Sequence, residues 1–200
     1  MFSPSTRRMV EYGLIGLAIA ATLIVGLQVR PHDFLPSKGM LQIAIQSNPS
    51  APSGPLIVAC HGMKRGNVTL TSIVVSITSV SIHRSGNMNI TGDWVSISNH
   101  PATLDLLQLT SSTQLGSTDV SEGTINIVRI DVESTATGSG SNGTISIVVS
   151  GSHFDVRLDA GVVEGKTTNV SIDVTPHIVC QGTGQFRLTP ELHASSAQPD

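Results

Sequence analysis

Residues 68–83 read VTLTSIVVSITSVSIH and carry the longest strand signal in this chain of 200 residues. Branched apolar residues alternate with Ser and Thr, the pattern of a β-strand with one buried and one exposed face. The apolar residues at 73, 75 and 77 share one parity, and Val80 and Ile82 take the other. A parity change within one run predicts a β-bulge, or a strand that passes from one sheet to another.

The same change of parity recurs between Ile127 and Val128, in an apolar run that continues to Val132. The polar residues of this second run share one face, which we expect to be exposed to water; they are Arg129, Asp131 and Glu133. Shorter alternating runs between Gly, Ser, Asn and Pro clusters predict further strands at 40–46, 56–60, 94–98, 103–109, 144–149, 153–158, 169–174 and 185–192. Residues 104–109 are the only helical candidate in this part of the sequence. Strands at these spacings are typical of a β-sandwich.

The composition excludes several classes of function. Charged residues make up 12% of the sequence, aromatic residues make up 3%, and the formal net charge is −3. Nucleic-acid surfaces need a basic field and often aromatic stacking partners, so we expect no nucleic-acid partner. The histidines never lie two to four residues apart, and no GxSxG motif occurs. We therefore predict that the protein is not an enzyme and has no cofactor or metal site.

A literal GxGxxG pattern, GSGSNG, occupies residues 138–143. A nucleotide-binding loop of this kind must be followed by a helix whose N-terminus meets the phosphate. The residues that follow are TISIVV, which predict a strand. We therefore interpret 138–143 as a hairpin loop.

Residues 12–29, YGLIGLAIAATLIVGLQV, form an uncharged apolar run. A helix of this length would measure about 27 Å, close to the thickness of the hydrocarbon core of a membrane. Arg7 and Arg8 precede the run, which favours an N-terminus in the cytoplasm and a C-terminal domain outside the cell. We predict an uncleaved signal anchor that contacts membrane lipid. A cleaved signal peptide with its site at Ala18-Ile19-Ala20 is the alternative.

This interpretation divides the chain into five parts. The predicted domain at 38–193 has about 160 residues, a normal size for one domain. The predicted parts are a cytoplasmic N-terminus at 1–11, the transmembrane helix at 12–29, a linker at 30–37, an extracellular domain at 38–193 and a flexible tail at 194–200.

Glu11 and Tyr12 open the apolar run and resemble the start of the assembly helix in Tad-type (Flp) pilins. In that family the Glu is thought to meet the N-terminal amine of the neighbouring subunit, and processing follows a Gly. Thr6 occupies the position of that Gly here. The resemblance makes Glu11 and Tyr12 candidate assembly residues of a filament subunit.

Cys60 and Cys180 are the only cysteines in the sequence. In an exported domain two cysteines can form one disulfide bond that closes a long loop. Two buried free thiols are the alternative, because the sequence does not fix the distance between them. The two residues do not form a CxxC motif, and no His lies at zinc-finger spacing from them.

Asn-X-Ser/Thr sequons mark candidate N-glycosylation sites; they begin at Asn67, Asn89, Asn142 and Asn169. We expect glycosylation at least at Asn89 and Asn142, which lie in predicted loops of an exported domain. Trp94 is the only tryptophan. We expect it to pack in the core, with stacking on a sugar as the alternative.

An ordered set of segments resembles the domain-of-unknown-function family DUF4382: VSITSVSIHRSG, GDWVSIS, LDLLQL, VSEGTINIVRIDVES, GKTTNVSIDV and IVCQGTGQFRLTPEL. The resemblance covers about 38–193. It implies an exported transthyretin-like or immunoglobulin-like β-sandwich, common in archaea and also found in bacteria, often anchored at the cell surface and without established activity. Residues 49–66, which contain Cys60 and His61, look longer than the family pattern.

Together these features predict a mainly β protein, a single transthyretin/immunoglobulin-like β-sandwich preceded by one N-terminal transmembrane helix. We expect it to sit in the cell membrane and to act in the cell envelope through structural contacts with other envelope or membrane proteins, or with copies of itself. A pilin-like filament subunit is one alternative. A module that binds a surface glycan, peptide or metal through 49–66 is another. An open sheet edge would also let a neighbour add a strand.

Overall fold

The computed structural model describes residues 37–50, 54–60, 66–85, 93–141 and 143–197. These residues form a mainly β structure with two sheets and no helix, so the described part has no helix that could span a membrane. The predicted anchor at 12–29, and with it Glu11 and Tyr12, lies outside the described residues. The strands are β1 (Lys38–Ser47), β2 (Leu56–Ala59), β3 (Asn67–Arg84), β4 (Trp94–Ser98), β5 (Ala102–Asp105), β6 (Thr113–Ser121), β7 (Gly123–Val132), β8 (Thr135–Gly140), β9 (Gly143–Val149), β10 (His153–Val162), β11 (Thr167–Thr175), β12 (Ile178–Cys180), β13 (Phe186–Leu188) and β14 (Glu191–Ala197).

The small sheet has the strand order β14-β11-β1-β6. Strands β1 and β11 run parallel, and the other two pairs are antiparallel. The apolar residues of β1 alternate inward at Leu41, Ile43 and Ile45, each at most 3% exposed. This sheet therefore presents one apolar face to the core and one polar face to solvent, as the alternation predicts.

The large sheet is organised around β3. Its strand order is β10-β7-β3-β8-β9-β13-β12, and β2, β5 and β4 also pair with β3. At Leu70 the strand bonds β2 on one side and β8 on the other, whereas at Ile82 its neighbours are β4 and β7. One long strand therefore serves two different sets of partners along its length.

The predicted parity change in β3 is confirmed. Ile77 and Val80 are both buried although they lie an odd number of positions apart, and the pairing of β3 with β7 shifts register between Ile77 and Ser79. A second shift, between Leu70 and Ser72, occurs in the pairing with β8. Each shift turns the apolar face by one residue and lets β3 pass from the first set of partners to the second.

Apolar side chains from both sheets make one continuous core. Nearly all its members are aliphatic, and each fully buried Val, Leu or Ile stabilises the fold by about 1.5–3 kcal/mol relative to the exposed side chain. The largest fully buried residues are Leu41, Ile43, Leu70, Ile73, Ile82, Ile125, Ile147, Ile172 and Leu188.

The two sheets meet at their edges. Strand β10 lies beside β11 and β14, where Thr168 Oγ1 donates a hydrogen bond to Gly161 O at 2.8 Å and Ser196 Oγ donates to Asp159 O at 3.3 Å. At the other side β6 approaches β4 so closely that a Cβ atom at Gly116 would meet Ile97 Cγ2 at 2.9 Å. These contacts cover the outer strands of the small sheet.

Several sequence-based predictions are wrong in detail. The strand predicted at 103–109 is shorter, because β5 ends at Asp105, whose carboxylate accepts the backbone N–H groups of Ile73 and Leu107 in a turn; the helical candidate at 104–109 is not a helix. The hairpin at 138–143 is present, but Gly138 and Gly140 belong to β8, so the loop is much shorter than predicted. Strand β14 continues to Ala197, into the predicted tail.

Candidate functional site

Polar side chains and one tryptophan cover the outer surface of β4, β3, β7 and β10. The strand registers pair His83 with Trp94, Ser81 with Arg129, and Arg129 with Asp155. Because successive side chains alternate between faces, these residues point away from the core that Ile82, Val128 and Val156 enter from the same strands. We call this surface the Trp94 face and define it by His83, Trp94, Arg129 and Asp155.

Trp94 lies at the surface and is 43% exposed. The guanidinium carbon of Arg129 lies 4.2 Å from the centroid of the indole ring, a cation–π contact. The ring of His83 meets the indole edge-on, with centroids 5.1 Å apart and planes inclined by 63°. Two neighbours therefore hold the indole in place while a large part of it stays accessible to solvent.

Arg129 is itself held by Asp155. Its Nε donates to Asp155 Oδ1 at 2.7 Å and its Nη2 donates to Oδ2 at 2.8 Å, a two-point ion pair. The hydrogen bond from Arg129 lowers the pKa of Asp155 below its ordinary value, and its effect outweighs that of partial burial. The same bond raises the pKa of Arg129. Both groups are therefore fully charged at neutral pH.

His83 is oriented by a further contact. Its Nδ1 lies 2.8 Å from Asn126 Oδ1, which can only accept, so a proton on Nδ1 completes the hydrogen bond. Ser79 Oγ donates to Asp131 Oδ2 on the neighbouring strand. The polar groups around the indole are thus positioned by partners on adjacent strands.

The prediction that Trp94 packs in the core is wrong. Strand β4 has one inward set, in which Ile97 is 8% exposed and Val95 packs against the core, and Trp94 belongs to the opposite set. The exposed position of Arg129 and Asp131 was predicted from the polar parity of β7, and both are only partly buried. The contact of Arg129 with Trp94 was missed, since it depends on the register of β4 and β7 on β3.

Cys60 and Cys180 are joined in a disulfide bond, with Cα atoms 5.1 Å apart and 120 residues between them in sequence. Cys60 directly follows β2 and Cys180 ends β12, which stand at the two ends of the series β2-β3-β8-β9-β13-β12. The two end strands, β2 and β12, form no backbone ladder with each other, and the disulfide bond links them. The six strands therefore form a ring that is closed by a covalent bond. The described residues contain no free cysteine.

A family model for "Domain of unknown function (DUF4382)" matches residues 66–190, more than half of the chain. The chain belongs to the DUF4382 family. The DUF4382 match begins just before β3 and ends after β13, so it includes every residue of the Trp94 face and Cys180, but not Cys60. No curated protein and no solved structure showed significant similarity to the chain.

The remaining candidate residues are dispersed over this DUF4382 domain. Asn67 is exposed at the start of β3. Asn169 is exposed on β11, where it lines a surface groove of about 520 Å³ with Gln42 and Ser171. The other candidates, Asn89, Asn142 and His61, lie outside the described residues.

Two histidines distant in sequence approach the same carboxylate. His193 Nε2 lies 3.0 Å from Glu191 Oε1, and His177 Nε2 lies 3.8 Å from Glu191 Oε2, all on the surface. Across the described ranges no group of three or more His, Cys, Asp or Glu side chains is arranged to hold a metal ion. Of the candidate residues from the sequence, the structure therefore brings together only the two cysteines.

Proposed function

We propose that this DUF4382 protein is a membrane-anchored extracellular domain that makes contacts in the cell envelope. The observation that carries the proposal is the disulfide between Cys60 and Cys180. Disulfides persist in oxidising compartments outside the cytoplasm and are rare inside it. The apolar run at 12–29 would hold such an exported domain at the membrane.

The finer description of the domain belongs to the same proposal. Two sheets packed around one core suit a transthyretin-like or immunoglobulin-like β-sandwich, and Arg7 and Arg8 favour an anchor helix with the domain outside. The exposed sequons at Asn67 and Asn169 are compatible with glycosylation of that domain.

The Trp94 face is the surface that we assign to these contacts. Tryptophan and arginine are the residues that most often dominate binding energy at interfaces. Here the two are in contact, fixed by neighbours and accessible to solvent. Addition of a strand at the edge of the small sheet is less suited, since β10 and β4 lie against its outer strands.

Mechanical shear of native cells tests the proposal. After fractionation, N-terminal sequencing, intact mass and non-reducing peptide mapping are carried out on the protein in each fraction. We expect a membrane-bound chain that retains residues 1–6, contains the Cys60–Cys180 linked peptide and carries any glycan as added mass. A cytoplasmic chain with free thiols would overturn the proposal, and sheared filaments whose subunits begin at Arg7 would establish the pilin alternative.

A further inference from the structure

Trp94 lies among mostly polar side chains. The other large hydrophobic residues that are exposed in the described part of the chain lie on different strands and turns; they are Met40, Ile57, Val163 and Val179. The neighbours of Trp94 on its own face are mainly Arg, Asp, His and Ser side chains, and the half-buried Ile127, the register partner of His83, is the apolar exception. A protein interface centred on a tryptophan normally surrounds it with several apolar groups, and the described part of this face offers only this one.

We propose that the Trp94 face binds a neutral saccharide, which identifies the ligand class for the surface role proposed above and rests on that role. A pyranose ring has a face of C–H groups and a rim of hydroxyl groups. The C–H groups are weakly positive and pack against the negative face of an indole ring. The hydroxyl rim needs donors and acceptors placed around that ring, which is the arrangement found around Trp94.

The hydrogen-bonding capacity of Arg129 matches this requirement. A guanidinium group has five N–H donors in a fixed plane, and two of them are engaged by Asp155. The others remain for ligand hydroxyl groups beside the indole. Carboxylate oxygens of Asp155 have further lone pairs that can accept from the same ligand.

The side chains of the Trp94 face are held in place by contacts within the protein itself. Arg129 is fixed by two hydrogen bonds to Asp155, and the indole is held by Arg129 and His83. Binding therefore freezes few side-chain rotations, which lowers the entropic cost of taking up a small polar ligand.

The charges on this surface favour a neutral ligand over an anionic one. The outward-facing arginines of β7 and β10 are Arg129 and Arg157, and the outward-facing aspartates of the same strands are Asp131, Asp155 and Asp159. Two cations thus face three anions on adjacent strands. Because the face has no net positive charge, it should bind a uronate or a phosphorylated sugar only weakly.

The sole tryptophan gives a direct readout, because all indole fluorescence arises from the proposed site. The full chain is placed in lipid nanodiscs, which avoids detergents with sugar headgroups. It is titrated with neutral oligomers of glucose, mannose, galactose and N-acetylglucosamine, and with a glucuronate oligomer as the charged comparison. We expect a saturable change in Trp94 fluorescence with at least one neutral oligomer and a weaker response to the glucuronate oligomer.

Variants are then compared by calorimetric titration with the oligomer that binds. Trp94→Ala is expected to weaken binding by at least about tenfold, Trp94→Phe to retain part of it, and Arg129→Lys to weaken it by losing the planar two-point geometry. Val179→Ala, which removes an exposed apolar side chain away from the Trp94 face, is the matched control and should bind like the wild type. Far-UV circular dichroism checks that each variant is folded.

The saccharide proposal is overturned if no neutral oligomer gives a saturable signal, if only the charged oligomer binds, or if Trp94→Ala binds as tightly as the wild type. Each of these results leaves the shear and disulfide mapping experiment untouched, because that experiment reports location and oxidation state alone. A chain that is anchored, oxidised and unable to bind saccharides would overturn the ligand assignment and leave the envelope role standing.

Discussion

The two halves of β3 show how one strand can serve two purposes. Its first half pairs with β2 and β8 inside the ring of six strands that the Cys60–Cys180 bond completes. Its second half pairs with β4 and β7 and supports the Trp94 face. The register shift between Ile77 and Ser79 lies between the two halves. The strands around the first half are linked by a disulfide bond, whereas the strands around the second half keep a large aromatic side chain in contact with water.

The comparison indicates that stability and ligand binding depend on different halves of β3. A disulfide that spans a long stretch of sequence acts mainly on the unfolded chain and needs no exposed group. A binding surface needs accessible groups, which contribute little to stability because they remain in water. We therefore expect changes in the first half to alter the free energy of unfolding, and changes on the Trp94 face to alter binding.

The largest effect should come from the disulfide. Replacing both cysteines, as Cys60→Ser with Cys180→Ser, removes a cross-link between residues 120 apart and should lower the free energy of unfolding by about 4 kcal/mol. Urea unfolding of the full chain in nanodiscs, followed by circular dichroism, measures the change. A loss below about 1 kcal/mol would show that the ring does not depend on its covalent closure.

A smaller effect should follow from Gly140→Ala. A Cβ atom at Gly140 would fall against the backbone carbonyl of Thr69, so β8 and β3 would have to move apart. We expect a loss of about 1–3 kcal/mol in the same urea experiment. Gly182→Ala is the matched control, because a Cβ atom there meets nothing within 4 Å, and it should stay within about 0.5 kcal/mol of the wild type. Equal effects of the two substitutions would contradict the close approach at Gly140.

The smallest effect belongs to the ion pair of the Trp94 face. The pKa of Asp155 is lower in the folded protein than in the unfolded chain, so its pairing stabilises the fold above the unfolded pKa of about 3.9. That contribution disappears as the pH falls through the lowered folded pKa. The difference in free energy of unfolding between the wild type and Asp155→Asn should therefore decrease as the pH is lowered from 6 to 2. The decrease should be less than about 1 kcal/mol for so exposed a pair. A gap that grows on acidification would contradict the ion pair.

Strands with strong alternation were predictable from the sequence, and those built from small polar residues were not. β1 carries branched apolar residues at every second position, β3 does so between its register shifts, and both were predicted. β6 reads TQLGSTDVS and β8 reads TATGSG. Their Gly, Ser and Asp residues weaken the local strand signal, and they become strands because they pair with β1, β3 and β9.

The candidate site was predictable only in its separate parts. The polar parity of β7 indicated that Arg129 would face water, whereas Trp94 was wrongly predicted to pack in the core although its parity is opposite to that of Val95 and Ile97. Their contact depends on the register of β4 and β7 on β3, which no local pattern encodes. The pairing of Cys60 with Cys180 likewise depends on the path of four intervening strands between β2 and β12.

The division of β3 into two independent halves is tested most directly by the fluorescence of Trp94 after the disulfide is removed. The emission maximum and acrylamide quenching of Trp94 are measured in the Cys60→Ser, Cys180→Ser chain in native buffer, beside the oxidised wild type. We predict the same emission and the same quenching in both proteins, although the variant unfolds at lower urea. A red-shifted emission with stronger quenching in the variant would show that the Trp94 face depends on the closed ring, and would contradict the account.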